Sequence, residues 1–470
     1  MSRVVAFSLA IAIAPLAAAQ VRERVEDVLK DPYLHNIEVG IKLVRLSDKP
    51  DADQTLYERR PDVPFTPASN LKVITTSAAM DLLGVDFKFS TLLVQKDQSL
   101  ALVGDGDPTL GDAELLKNAD WKSTTLFTKW AEALSARGLK EAAELVYDDS
   151  IFDAEYQHPS WPADQIQKRY VAGVAGLNFN ANCLDFFLKP NARGEVVSYQ
   201  TDPPNVGIPI QNNCTLGSKN AVWLSRAKGS DTIILRGETN AANVEPISVT
   251  INNPPAFTAD VFARTFAEAG IAIKGEPKRD PLIHKSIKNW TVLAVHETPI
   301  GQVLTRANKD SMNIYAEALC KRIGAKATGE PGTWANGTQA MGKYLQSLGI
   351  PENQFSLDDG SGLSRKNALS PDAMITVLRH QFHSRNRDVF ISTFSVGGID
   401  GTLEHRFDNT RLKERVFAKS GFIDGVSTLS GYVRGKDDQW YAFSILFNGI
   451  AKGTIATAKK FQERIVLTLE

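Results

Sequence analysis

Two stretches of mixed helix and strand pattern, one near each end of the chain, enclose a long run of short strands. This interruption limits the fold more than any other feature. Residues 37–46 (IEVGIKLVRL) alternate apolar and polar side chains, as a half-buried strand does. A second extended segment around Gln54 to Tyr57 follows. Pro67-Ala68-Ser69 then opens a helix that ends at Gly84, with Leu71, Ile74, Ala78 and Leu82 on one apolar stripe. From about 87 to 285 the pattern changes to runs such as STLLVQ, AELVYDD and DTIILRG, set between Gly, Asn, Asp and Pro turns, and a helix over Pro255 to Ala269 closes the region. The last third returns to helices, at Ile300 to Asn308, Asn313 to Gly324, Gly332 to Leu348 and Pro371 to Phe382, with a strand at Thr291 to His296. It finishes with strands at Arg415 to Lys419, Ser427 to Arg434 and Gln439 to Phe447, an expected antiparallel meander covered by a helix from about Lys452. Helices flanking an antiparallel sheet make a layered α/β core. The expected organisation is an α/β domain formed by 20–86 and 286–470, with one or two β-rich modules inserted as 87–285.

At 470 residues the chain is too long for one ordinary core. Its 43% hydrophobic and 23% charged residues are those of a folded globular protein, and the net charge of −1 comes without a long block of one sign. Nucleic acid is therefore not an expected partner. The first residues differ from the rest: Arg3, an apolar run from Val4 to Ala14, and Ala17-Ala18-Ala19 before Gln20. They read as a signal peptide over 1–19, too short in its apolar part to span a bilayer. No later stretch is long and apolar enough for a transmembrane anchor, and Lys459 to Leu469 is at most an amphipathic helix, so any membrane contact is peripheral. The mature protein is expected in the periplasm. Cys183 and Cys214 are near enough in sequence to close a loop in such a compartment, and whether they pair is left open; Cys320 lies in an apolar helical pattern and reads as buried. No zinc-like spacing exists, His380 and His383 at i, i+3 read as surface residues, and no metal or cofactor is expected.

Amide hydrolysis by a serine needs a nucleophile, a base for its proton, a donor for the leaving amine and an oxyanion site. Ser69-Asn70-Leu71-Lys72 offers the first two, since i and i+3 share one helix face and the helix start favours developing negative charge. Ser225 and Lys228 have the same spacing but lie in a strand-like run. Ser311-Met312-Asn313 falls at the tight junction between two helices, and Lys419-Ser420-Gly421 on a strand. Ser218 to Asn220 and Ser384 to Asn386 also fit SxN, so specificity comes from the ordered set SxxK, SxN, K[ST]G in these local structures, which penicillin-binding proteins and class A β-lactamases share.

With these motifs the chain resembles the low-molecular-mass class C penicillin-binding proteins, the D-alanyl-D-alanine carboxypeptidase/endopeptidase group that includes penicillin-binding protein 4. Further matching stretches are FTPASNLKVITT (65–76), GDGDPTL (104–110), DGSGLSR (359–365), GGIDGTLEHR (397–406) and AKSGFIDGVSTLSGYV (418–433). The resemblance implies a serine D,D-peptidase/β-lactamase-like fold and an enzyme acting on peptidoglycan peptides, with β-lactams as covalent inhibitors. It implies Ser69 as nucleophile, Lys72 as its base, Ser311 as proton donor to the leaving group and Asn313 as holder of Lys72 and the substrate backbone. Lys419 would attract the terminal carboxylate, and Ser420, Gly421 and the N–H groups of Ser69 and Phe422 would bind substrate. A free lysine titrates near 10.4, so a base at neutral pH calls for a fall of about 3, roughly 4 kcal/mol.

Departures from the family pattern bear on specificity. Ser420 stands for the usual Thr, and Phe422 for a Thr or Ser whose hydroxyl helps bind carboxylate, a loss that favours an internal crosslink over a free terminus. Within Tyr170 to Asn182, Gly173 replaces a usual Pro. Arg365 is similar to a family arginine near the substrate stem, with a structural loop salt bridge as the other reading; Asp359, Gly360 and Gly362 read as turn formers. Gly104 to Asp107 reads as a surface turn, its acids and Pro108 opposing a phosphate or calcium loop. The competing functions are a catalytically weak wall-binding scaffold and a β-lactamase, for which no Glu-x-x-x-Asn loop follows Asn313.

Overall fold

The computed structural model describes residues 18–190 and 196–470. The expected signal peptide lies almost wholly outside them. The chain divides into two compact units, one of Met1–Val85, Leu304–Met312 and Gly337–Glu470, the other of Asp86–Val303 and Asn313–Asn336. Residues 286–303 and 313–336 thus group with the second unit. The reason is local pairing: Thr291–Pro299 runs antiparallel to Lys88–Lys96, and Asn313–Thr328 packs against the turn Arg169–Val171.

The first unit is built on a six-stranded antiparallel sheet in the order Ser395–Val396, Val416–Ile423, Val426–Arg434, Trp440–Asn448, Glu38–Arg45, Gln54–Arg59. The final three strands of the chain form the expected meander, and the first strand closes onto the last. Strand Val426–Arg434 is buried on both faces, and its period-2 alternation sorts two kinds of surroundings. Leu429 and Val433 join Ile41, Leu43, Phe443, Ile445 and Phe447 in an apolar core under the helix Ile455–Val466 and the helix at 18–29. Thr428, Ser430 and Tyr432 point to the other face: Thr428 Oγ1 donates to the Pro67 carbonyl at 2.8 Å, Ser430 Oγ accepts from Asn70 Nδ2 at 2.7 Å, and Tyr432 Oη donates to the Leu378 carbonyl at 2.6 Å. Helices Leu71–Leu82 and Pro371–Phe382 pack there.

The second unit holds a mixed five-stranded sheet in the order Lys278–Arg279, Glu144–Asp148, Ser99–Val103, Lys88–Lys96, Thr291–Pro299, together with two three-stranded sheets. It contains more helix than its β-rich sequence reading implied. Thr125–Ala136 is a helix with Phe127, Trp130, Ala131 and Leu134 buried at i, i+3, i+4 and i+7, and it packs on Pro254–Glu268 through a Phe127–Phe262 edge contact. That spacing was visible in the sequence but lay among turn signals.

One local expectation is corrected here, and one question the sequence left open is answered. Gly104 to Asp107 is not a surface turn. Asp107 is buried, accepting from Thr298 Oγ1 at 2.6 Å, Thr109 Oγ1 at 2.7 Å and the Thr109 N–H at 2.9 Å, while a Cβ at Gly104 would lie 2.1 Å from the Gly176 carbonyl. Glycine admits that backbone approach, and the acid finds hydroxyl partners rather than solvent. Cys183 and Cys214 are free and buried, on strands of two different sheets, and Cys320 is buried in the helix Asn313–Thr328, as expected. Burial pushes the Cys183 thiol up to about 12. Among the described residues no helix is long and apolar enough to cross a membrane.

Ile445 is fully buried in the first unit's apolar core. Ile445→Ala should cost about 2–5 kcal/mol, read as a lowered urea midpoint; a loss under about 0.5 kcal/mol would mean this face of the sheet does not carry the stability.

Candidate active site

The chain reaches Ser69 through a tight turn. Ala68 has φ +46, an uncommon conformation for a residue with a Cβ, and Ala68–Asn70 forms a 3-10 turn running into the helix Leu71–Leu82. Lys72, one turn on and fully buried, donates from Nζ to Ser69 Oγ at 2.9 Å and to the Ser361 carbonyl at 2.9 Å. The Ser361 loop is shaped by the buried Asp359 carboxylate, which accepts from the Gly362 N–H (2.8 Å), the Ser364 N–H (2.7 Å) and Asn367 Nδ2 (2.8 Å). Gly362 has φ +83, and a Cβ on it would lie 1.9 Å from the Ala68 carbonyl. The turn-forming residues of DGSGLSR therefore do more than turn: they press the loop carbonyl onto Lys72 and seat the turn that presents Ser69.

The strand Val416–Ile423 approaches the same turn from the sheet. A Cβ at Gly421 would fall 2.1 Å from Thr428 Oγ1, 2.9 Å from the Pro67 carbonyl oxygen and 3.0 Å from the Asn70 nitrogen. Lys419, on the same side of the strand by alternation, is fully buried and donates to Ser311 Oγ at 2.9 Å and to the Ser420 carbonyl at 2.7 Å. Ser311 sits at φ +60 between the helices Ile300–Asn308 and Asn313–Thr328, as the sequence placed it. Burial holds the Lys419 ammonium well below the ordinary lysine range; repulsion from Lys72 adds to this, and the Asp310 carboxylate opposes it. Asp310 is itself paired with Arg306 at 2.6 Å.

Ser69, Lys72, Ser311, Lys419, Ser420 and Gly421 thus all belong to the first unit, tied by these contacts. Asn313 belongs to the second unit, where its Nδ2 donates to the Tyr170 carbonyl at 2.7 Å. Arg365 donates to the Asp424 carbonyl at 2.6 Å, a contact to backbone rather than a salt bridge. Phe422 is 55% exposed. Ser225 ends a strand and accepts from Arg236, away from any helix start. His380 and His383 face different carboxylates, Asp81 at 2.6 Å and Asp53 at 3.0 Å.

Sequence reasoning gave no role to Lys309, Ser395, Asp400 and Thr402, which fix the Ser311 turn. Lys309 pairs with Asp400 at 2.5 Å, the Lys309 carbonyl accepts from Ser395 Oγ at 2.9 Å and from the Thr402 N–H at 3.2 Å, and Ser420 Oγ donates to Thr402 Oγ1 at 2.8 Å. The stretch GGIDGTLEHR contains Asp400 and Thr402, but nothing in a linear string says that residues 400 and 309 meet.

A serine and a lysine on one turn, beside a flanked antiparallel sheet with a second lysine–serine pair, is the architecture of a serine hydrolase. The chain belongs to the D-Ala-D-Ala carboxypeptidase 3 (S13) family, whose model matches residues 21–469. It is similar to a D-alanyl-D-alanine carboxypeptidase of Actinomadura sp. (strain R39), 28% identical over 92% of this chain and 81% of that protein. D-alanyl-D-alanine carboxypeptidase DacB of Haemophilus influenzae is 26% identical over 84% of this chain and 82% of its own length. The crystal structure of penicillin binding protein 4 (dacB) from H. influenzae superposes with a TM-score of 0.77 at 25% identity, over 94% of this chain and 98% of that one. A predatory endopeptidase of Bdellovibrio bacteriovorus shares the fold, with a TM-score of 0.54 at 15% identity over 92% and 93% of the two chains. The fold expectation is met, and the chain is a serine-type hydrolase of the D-Ala-D-Ala carboxypeptidase class.

The Lys419 ammonium gives a test in stability. The folded state releases this proton at lower pH than the unfolded chain, which does so near 10.5. Stability relative to a Lys419→Met variant should therefore be flat at low pH and rise with pH from the lowered titration point up to about 10.5. Urea midpoints of the two proteins across that range check it, and a constant difference would show that Lys419 is not held below its ordinary range.

Proposed function

We propose that this protein is a periplasmic, penicillin-sensitive D-alanyl-D-alanine carboxypeptidase and/or D,D-endopeptidase, acting on peptidoglycan stem peptides through an acyl-enzyme on Ser69. The observation that carries the reading is the 2.9 Å contact between the fully buried Lys72 amine and Ser69 Oγ, beside a second 2.9 Å contact from Lys419 to Ser311.

In this reading Ser69 Oγ attacks the carbonyl carbon between two D-alanines and its proton passes to Lys72. Two buried ammonium groups repel each other, which favours a neutral amine at one of them. The role of base falls to Lys72 because it touches Ser69. Lys419, whose proton is loosened by burial and by Lys72, polarises Ser311 through its 2.9 Å contact and draws in the substrate carboxylate in its protonated form. The oxyanion is held by the N–H groups of Ser69 and Phe422, donors worth about 3 kcal/mol each. As the C–N bond breaks, Ser311 delivers a proton to the leaving amine and is reprotonated by the proton that Lys72 took from Ser69, which returns Lys72 to the neutral amine. Water then attacks the acyl-enzyme and restores Ser69. Pairing of Val416–Ile423 with Ser395–Val396 reaches only Phe417 and Ala418, so a substrate has an open edge to lie along from Lys419 onward. Ser420, Gly421 and Phe422 follow Lys419 on that strand, and Arg365 meets the Asp424 carbonyl just past its end; in this reading they supply the remaining substrate contacts.

Export rests on the leader over 1–19 and on the cell wall as the site of the substrate. Sensitivity to β-lactams is supported by H. influenzae penicillin binding protein 4, which has been solved complexed with a β-lactam.

Incubation with benzylpenicillin should leave a slowly lost adduct on Ser69, seen by mass spectrometry and absent from a folded Ser69→Ala variant. Rapid turnover of the drug would instead make the protein a β-lactamase, and no adduct would leave a wall-binding scaffold. Lys72→Ala should slow acylation by about a hundred- to ten-thousandfold. Digestion of purified muropeptide monomers and crosslinked dimers divides the carboxypeptidase from the endopeptidase activity.

A further inference from the structure

We propose that Thr402 is a substrate ligand: its hydroxyl and that of Ser420 form a carboxylate-binding pair at the open edge of the strand Val416–Ile423, receiving the free C-terminus of the departing D-alanine. This rests on the D,D-peptidase reading above and extends it to a residue that the motifs leave out. It also bears on a deficit in the sequence, where Phe422 occupies a position at which a hydroxyl would help bind that carboxylate.

The geometry comes from two strands that part company. After Ser395–Val396 pairs with Ala418 and Phe417, the chain leaves the sheet at Gly397 and folds back so that Thr402 meets Ser420. The returning loop is fastened to the Ser311 turn. A Cβ at Gly401, φ +53, would lie 2.5 Å from the Lys309 carbonyl oxygen and 2.6 Å from Ser395 Oγ, and the Thr402 N–H donates to that same carbonyl at 3.2 Å. Thr402 is exposed and Ser420 partly so, so both hydroxyls are within reach of a ligand.

The hydrogen-bond inventory leaves the Thr402 hydroxyl hydrogen only a long contact, 3.3 Å to Ser395 Oγ. Ser420 Oγ donates to Thr402 Oγ1 at 2.8 Å, so the threonine keeps its own hydrogen for another acceptor. Ser395 Oγ is 3.3 Å away, a long contact, and already receives the Thr402 N–H at 3.2 Å while donating to Lys309. An arriving carboxylate is the better acceptor. Nearby acids do not oppose it, because Asp400 is engaged by Lys309 and by the Val396 N–H, and Asp310 by Arg306. Lys419 donates to the Ser420 carbonyl at 2.7 Å and so fixes the strand that carries the pair.

The test compares an acyl-L-Lys-D-Ala-D-Ala peptide with the same peptide ending in a carboxamide. Thr402→Val, isosteric and exposed, should lower kcat/KM on the acid by roughly tenfold or more, mainly through KM, and leave the amide within about twofold; Thr402→Ser should restore the acid. Equal losses on both peptides would reduce Thr402 to a loop tether, and no loss on the acid would remove it from the site; either result overturns the proposal. Binding of both peptides to Ser69→Ala, with and without Thr402→Val, separates this from the catalytic reading. If the wild type releases no D-alanine yet the Thr402→Val change weakens only the acid in the Ser69→Ala background, the peptidase reading fails and the carboxylate pair stands.

Discussion

The strand that carries Lys419 lies so close to the turn that carries Ser69 that no side chain fits at position 421. This one approach, with Thr428 Oγ1 on one side and Pro67 and Asn70 on the other, sets the distance between two stretches of chain far apart in sequence. The remaining contacts are consequences of it. Asn70 reaches Ser430, Thr428 reaches the Pro67 carbonyl, and Lys72 is pushed under the turn, where its amine meets Ser69 and the Ser361 carbonyl. From the far side Gly362 closes on the Ala68 carbonyl, so the Ser69 turn is gripped between a strand and a loop, each made tight by a glycine.

The sheet of the first unit serves two different layers. One face is the apolar core under the C-terminal helix; the other is lined by Thr428, Ser430 and Ser444, all buried and all hydrogen-bonded. Hydroxyls there let a polar turn and two lysines enter a dry interior without leaving donors stranded. Burying an ammonium is expensive, and placing a second beside it makes the protonated state dearer still. The same packing that seats Lys419 therefore loosens its proton, which links local architecture directly to acid–base chemistry. Strained backbone at Ala68 and Ser311, both at positive φ, accompanies the two hydroxyls of the site, each held in place by the elements around it.

Much of this was readable in the string because it is local. SxxK puts a serine and a lysine on one face of a helical turn regardless of what surrounds them, SxN falls in a helix junction, and the K-S-G strand alternates in the required sense. Elements with strong periodicity, such as Ile300–Asn308 and Pro371–Phe382, were legible for the same reason. The helix Thr125–Ala136 was missed because it sits among strand and turn signals. Gly104 to Asp107 was misjudged because burial of an acid depends on partners, here Thr109 and Thr298, that only folding supplies.

What the sequence determined by itself was the set of reactive groups, their family and the order of the sheet's last strands, since each follows from neighbours within a turn or a hairpin. What only the tertiary structure decided was which distant residues complete the site: the Asp359 loop over Lys72, the Lys309–Asp400 and Thr402 contacts that fix Ser311, and the free state of Cys183 and Cys214. Their linear spacing carries no record of proximity, because a long-range contact is set by how layers pack and not by any periodicity along the chain.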